Sequence, residues 1–145
     1  MNLLANVKVD QVLGYFAAGQ TAQKATIIDM AGYEGCMFIY EFGTILNTGV
    51  LTCDINGNTV NATGGTKLGT STVATVTATT AALAQSCIVV DIFQPQPGTS
   101  RYLEAMITPS VVNAVILGIT AIRYQGKYKP EVTTGLLASQ QLVSP

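Results

Sequence analysis

The sequence predicts an all-β protein, a sandwich or barrel of antiparallel strands. Three observations predict it. Val, Ile and Thr supply 44 of the 145 residues, and β-branched side chains favour strands over helices. Short apolar or alternating runs recur with turn signals roughly every 8–12 residues, the pattern of a sandwich or barrel. No run carries the helical stripe that a βαβ unit needs, which excludes a parallel α/β fold.

The clearest element is Thr26 to Gly43, read as strand, tight turn, strand. Gly32 and Gly35 bracket the turn, where a Cβ would be least tolerated. From Cys36 onward, Cys36, Phe38, Tyr40 and Phe42 share one face and Met37, Ile39 and Glu41 the other. Before it, Val7 and Val9 alternate with Lys8 and Asp10, which predicts an edge strand ending by Gly19. Residues 19–24 read as a polar connection, and the strands flanking the Gly32 turn as Ala25–Met30 and Cys36–Ile45.

Asn47-Thr48-Gly49 predicts a turn and Val50–Ile55 a strand. Asn56-Gly57 is the two-residue hairpin signal, with Thr59 and Val60 starting a return strand. Asn61–Thr72, with three glycines, reads as a polar loop, and loops of this length often lie on a working surface. Ser71–Thr79 alternates Val and Thr as a strand does, and Thr79–Ala84 carries a helix-cap signal for one turn. Ser86–Phe93 is a β-rich run, and Pro95, Pro97 and Gly98 force a turn after it. Arg101–Thr108 and Ala114–Gln125 read as an antiparallel hairpin across Pro109–Asn113. In the second of these, Ala114, Ile116, Gly118 and Ile122 lie on one face and Val115, Leu117, Ile119 and Ala121 on the other. Both faces are apolar, which predicts a central strand or a subunit contact.

One domain is expected for this length. It covers residues 1–126, with 1–6 as an N-terminal arm, and 127–145 lose the strand pattern and read as an extended C-terminal arm. Charged residues are 10% of the chain and the net charge is −1, against about 25% charged in an ordinary domain. So weakly charged a surface is expected to be covered in an assembly. Seven scattered Lys and Arg do not make a phosphate-binding surface, so nucleic acid is not an expected partner. Residues 111–122 are too short an apolar run to span a bilayer, so no membrane is expected either. The start, MNLLANVKVDQ, lacks a basic leader, and synthesis in a cytosol is expected.

No catalytic set emerges. Histidine is absent, which removes the commonest general base and zinc ligand. Asp91 and Glu104 lie on strands that could be neighbours, but a glycosidase pair needs more than that. The carboxylates read as solvent-facing groups or partners of Arg101 and Arg123. Asp54-x-Asn56-x-Asn58 resembles the start of a calcium loop, yet its twelfth position is Gly65, and a hairpin turn explains the same residues. The Gly64-Gly65 loop is no P-loop. Cys36, Cys53 and Cys87 read as buried structural thiols. Tyr33, Tyr40, Tyr102, Tyr124 and Tyr128 read as packing before ligand stacking. No enzyme activity, cofactor or metal is expected.

Ile28-Asp29-Met30-x-Gly32-Tyr33-Glu34-Gly35 before an apolar strand, then Val90-Asp91-Ile92-x-x-Pro95, then Arg101-Tyr102 opening another strand, resemble the small virion proteins of tailed bacteriophages. These are capsid decoration, or cement, proteins. The match is a pattern of strands and turns over roughly residues 25–126. The resemblance implies a jelly-roll-like β-sandwich that binds the major capsid protein on the exterior of the phage head, reinforces contacts between capsid subunits, and acts as a homodimer or homotrimer. Lys127, Tyr128, Lys129, Leu136 and Leu137 of the C-terminal arm are then the candidate capsid contacts. The competing readings are another virion part, such as a tail or head-fibre adaptor, and a carbohydrate-binding β-sandwich using the tyrosines and the loops of residues 56–69.

Overall fold

A computed structural model of the chain describes residues 6–76, 82–83, 86–93, 95 and 100–125. Twelve strands run through the described residues: β1 (Val7–Leu13), β2 (Phe16–Gly19), β3 (Gln23–Lys24), β4 (Ile28–Asp29), β5 (Gly35–Leu46), β6 (Val50–Asn58), β7 (Thr66–Lys67), β8 (Thr72–Thr75), β9 (Ala82–Leu83), β10 (Ser86–Phe93), β11 (Tyr102–Ser110) and β12 (Ala114–Tyr124). They form two antiparallel sheets. The first has the order β1-β12-β5-β10, with β2 beside β12 and β9 beside β5. The second has the order β3-β11-β6-β7, with β4 beside β11 and β8 beside β6.

Each sheet interleaves early and late strands, so the chain wraps from sheet to sheet as it advances. That is the order of a jelly roll, two Greek keys facing each other. The fold is the antiparallel β-sandwich that the strand pattern and turn spacing predict. The core lies between the sheets. Cys36, Phe38, Tyr40 and Phe42 of β5 are fully buried, as their alternation with Met37, Ile39 and Glu41 requires. Leu51, Cys53 and Ile55 of β6, and Leu103, Ala105 and Ile107 of β11, close on them from the opposite sheet. The Tyr40 hydroxyl donates to the Asp54 carbonyl at 3.0 Å, which joins β5 to β6 across the core and satisfies a buried phenol.

The wrap corrects several expectations. β11 and β12 are not a hairpin, because they lie in different sheets. Val111, at φ 71°, and the Val112 N–H to Ser110 carbonyl bond fold the chain over the edge of the sandwich. The strand-turn-strand at residues 26–43 likewise bridges the sheets, since β4 pairs with β11 and β5 with β10 and β12. Its first strand is shorter than expected. Gln23 and Lys24, read as connection, pair with β11, whereas at Thr26 the backbone N–H turns away to the Val12 carbonyl of the other sheet.

Asn56-Gly57 is not a turn. Both residues lie within β6 and pair with β11 and with β7. Gly57 is required there by close approach: a Cβ would come within 2.6 Å of Ser100 Oγ and 2.7 Å of its Cβ. The chain reverses later, between Asn58 and Thr66, so Thr59 and Val60 are bends and the return strand is β7. Of the predicted helical turn at residues 79–84, Ala82 and Leu83 are extended and pair with Leu46 and Ile45; the others lie outside the described residues.

The two apolar faces of β12 resolve into one inward face that switches phase. Ile116 pairs with Phe42 and Gly118 with Glu41, so β12 carries one extra residue at Leu117. Inward positions are therefore Ala114 and Ile116 before the bulge, and Ile119, Ala121 and Arg123 after it, while Gly118 stands opposite the outward Glu41 and is buried under the Leu13 backbone. A β-bulge flips the alternation in this way. A compensating bulge in β5 lies between Phe42 and Ile45.

Candidate functional site

The residues named as capsid contacts, Lys127, Tyr128, Lys129, Leu136 and Leu137, lie outside the described residues, as do the rest of the C-terminal arm and residues 1–5 of the N-terminal arm. Three other places carry chemistry.

The first is an ionic clasp at one end of the sandwich. Arg123 reaches inward from β12 and is 7% exposed; Asp10 of β1 is 6% exposed. The Arg123 Nε donates to Asp10 Oδ2 at 3.1 Å, and a second guanidinium nitrogen donates to the same oxygen. A third donates to the Asp29 carbonyl of β4 at 2.6 Å. The Tyr33 ring stacks against the guanidinium at 4.7 Å. So Arg123 ties both sheets and the Gly32 turn together, and the guanidinium's fork matches this spread of acceptors.

Asp29 extends the clasp outward. Its carboxylate takes the Ala31 N–H at 2.9 Å and two bonds from Arg101, at 2.9 and 2.7 Å. The bond from Arg101, reinforced by the turn N–H, holds its acid strength above the carboxylate norm, with pKa below 3.8. Asp29 thus serves the turn as a backbone acceptor as well as pairing with Arg101, the partner expected for a carboxylate here. Gly32 supplies φ 87° there, and the Tyr33 N–H closes the turn on the Met30 carbonyl. Gly35 has a separate reason: a Cβ would meet the Tyr124 ring at 2.1 Å. Tyr124 donates in turn to Asp91 at 2.8 Å. Asp91 and Glu104, weighed as a pair, lie in different sheets. The clasp is architecture: its charged groups are spent on one another.

Among the described residues, the tyrosines named above do not form a stacking platform. Tyr40 is core, Tyr33 lies on Arg123, Tyr102 lies against Arg101 at 5.0 Å, and Tyr124 is tied to Asp91. Tyr128 lies outside the described residues. Of the cysteines, Cys36 and Cys53 are buried, and burial pushes both thiols up to about 12. Cys87 is exposed, contrary to the expectation of burial, because it stands on the outer face of β10. All three are free.

The second place is the edge and outer face of the first sheet. β10 pairs with β5 through eight residues in unbroken register, and among the described residues no strand pairs with its other edge. Ile88, Val90 and Ile92 pack toward the core. Val89 and Phe93 point out, 50% and 57% exposed. Met37 and Ile39 continue this face on β5, and Leu117 is displayed at the β12 bulge. Glu41, Phe42, Ser86, Cys87 and Leu117 line a cleft of about 310 Å³ beside it. Protein edges are ordinarily protected by brevity, Lys, Pro or bulges. β1 has Lys8 and a bulge near Val12, and β3, β4, β7 and β8 are short. β10 has none of these devices, and its one charge, Asp91, is held by Tyr124. In the sequence SCIVVDIF reads as a strand, but which of its edges stays unpaired depends on sheet order, which the sequence does not carry.

The third is the outer face of the second sheet, where residues 58–65 fold over β11. Asn58 organises this loop, donating to the Ala62 carbonyl at 3.1 Å and accepting from the Val60 N–H at 3.3 Å. The Gly64 N–H reaches Glu104 Oε2 at 3.4 Å. The loop expected to be an exposed surface is thus partly a cover.

No protein-family model matches the sequence, and no curated protein matches it. Solved structures resemble it in fold. A chain from a structure of infectious bursal disease virus, Gt strain, superposes with TM-score 0.51 at 14% identity; the match covers 86% of the present chain and 33% of the virus chain. The chain thus spans about a third of that protein's length. A CBM4 structure gives TM-score 0.47 at 8% identity over 84% of this chain and 89% of the other. A chain of the Israeli acute paralysis virus full particle gives 0.38 at 11% identity over 99% and 80%. The first likeness shows a shared β-sandwich fold. The other two are too distant to argue from.

Proposed function

We propose that this chain is a structural virion protein that decorates the exterior of a bacteriophage head and reinforces contacts between major capsid subunits. The observation that carries the reading is the β10 edge, unpaired among the described residues, which presents backbone donors and acceptors together with the exposed Val89 and Phe93. A strand in that state serves β-addition by a partner. The phage-like order of the Ile28–Gly35, Val90–Pro95 and Arg101-Tyr102 motifs, the weakly charged surface and the sandwich fold shared with a virus chain support it. Partners on this reading are the major capsid protein and further copies of the chain, and the protein acts by occupancy, without catalysis.

The test is addition of the purified chain to undecorated phage heads, with bound copies counted by sedimentation and located by electron microscopy. Many copies spread over the head are expected, and Val89→Lys is expected to reduce occupancy at least tenfold while leaving the fold intact. Binding confined to one vertex or to tails would assign the protein to an adaptor role instead. Absence of binding to heads would refute the reading.

A further inference from the structure

We propose that the outer face of the second sheet holds a hard divalent cation of the calcium type, between Glu104 of β11 and Asp54 of β6. This rests on its own observations and is independent of the virion reading.

Glu104 is 3% exposed, on the face of β11 that points away from the core. Its Oε2 receives the Gly64 N–H, but its Oε1 is buried without a hydrogen-bond partner. Asp54 Oδ1 is also buried without one. Lys67 Nζ stands 3.4 Å from that oxygen, but its hydrogen bond goes to Ser71 Oγ at 2.6 Å. Burying a carboxylate oxygen without a donor or cation is strongly unfavourable. Glu104 Oε1 is such an oxygen, and Asp54 Oδ1, on the same face of the sheet, has the Lys67 ammonium at 3.4 Å but no hydrogen-bond donor.

The register brings them together. Glu104 pairs with Asn56 and Met106 with Asp54, so Glu104 and Asp54 are diagonal neighbours on adjacent strands. Diagonal positions are about 7–8 Å apart, a span that two carboxylate side chains directed at one ion can close. A calcium ion takes oxygens at about 2.3–2.6 Å and tolerates irregular geometry. Asn56 lies directly opposite Glu104, on the same face, and adds an amide oxygen. The alternate Asp54, Asn56 and Asn58 are therefore displayed together by a strand, although they form no calcium loop. A polar cleft of about 330 Å³, lined by Gly57, Asn58, Thr59, Gly64, Gly65 and Thr66, opens at the Asn58 end of this row. All of these ligands are oxygens, which suit a hard cation and not zinc or copper. Among the described residues no three His, Cys, Asp or Glu side chains gather. With two carboxylates and Lys67 nearby, the affinity expected is that of weak modules, about 10⁻⁴–10⁻³ M.

The experiment is thermal unfolding of the full chain, stripped with chelator, against CaCl2 at constant ionic strength, with MgCl2 as comparator and calorimetric titration of CaCl2 alongside. Calcium at 10 mM is expected to raise Tm by roughly 3–6 °C with saturation. Glu104→Gln is expected to abolish the response, and Lys67→Met, which removes the competing charge, to strengthen it. Should Glu104→Gln not fold, Asp54→Asn reads the same site. An unresponsive wild-type chain, an equal response to magnesium, or an unchanged response in the carboxylate variant would each overturn the proposal.

Discussion

Arg123 shows what a single side chain settles in this protein. It satisfies three acceptor contacts and one ring while almost wholly buried. Its partner Asp10 is 113 positions away. Removing one member of a buried ion pair strands the other, at about 3–5 kcal/mol. Arg123→Met is therefore expected to lower stability by that amount in urea unfolding. Adding Asp10→Asn should recover part of the loss, because no charge is then left buried. A loss below about 1 kcal/mol in the single variant would mean that Asp10 finds water. The sequence named Arg123 as a carboxylate's partner but not which one, since pairing depends on register between distant strands. Cysteine exposure was less legible. All three thiols sit in similar apolar runs, and only the facing of β10 separates them. An alkylating reagent should accordingly label Cys87 in the native chain, with Cys36 and Cys53 reacting after unfolding; mass spectrometry distinguishes the three.

At the scale of elements, alternation was readable and its interruptions were not. The inward row of β5 follows from period two, and the structure keeps it through Phe42. The bulges that follow have no composition of their own, so the run 114–125 looked apolar on both sides when it is one face changing phase. Gly118 is the nearest thing to a signal. A Cβ at this position would meet the Leu13 backbone carbonyl at 2.8 Å, and a backbone obstacle yields less readily than a side-chain tip. Gly118→Ala should cost about 1–3 kcal/mol, the range of overpacking, read from the denaturant midpoint at unchanged m-value. Gly14→Ala is the control, because a Cβ there meets nothing within 4 Å. Equal effects at the two sites would remove the packing explanation for the bulge. The Asn56-Gly57 reading failed for a related reason: glycine marks a left-handed turn and a tight approach equally well, and here Ser100 makes it the second.

For the molecule as a whole, composition and turn spacing were sufficient for a sandwich, whereas the wrap of one sheet over the other was not legible, because crossing turns and hairpin turns use the same residues. The assembled core has a consequence for pH. On the acid side, Asp29 is held below its ordinary 3.8, chiefly by the Arg101 bond. A depressed carboxylate contributes stability above its unfolded value and loses it as pH falls through the folded one. The acid limb should therefore begin only below about pH 4. On the alkaline side the shifts are upward. Burial raises Cys36 and Cys53 from 9.0 to about 12. It lifts Tyr40 well above 10.0, and with the Asp91 bond it takes Tyr124 from 10.0 to about 12. A raised group stabilises fully below its unfolded pKa, and that stability drains as pH rises toward the folded value. The thiols thus begin to act near pH 9 and the phenols near pH 10. Each group contributes a slope of about 1.4 kcal/mol per pH unit. Urea unfolding in reductant should show a plateau up to pH 9, then a decline of nearly 3 kcal/mol per unit, steepening above 10. In a Cys36→Ala, Cys53→Ala double variant the plateau is lower, because cavities are left, but its alkaline edge should move to about pH 10. The same slope in both proteins between pH 9 and 10 would show that the two thiols are not buried together as neutral groups in the folded core.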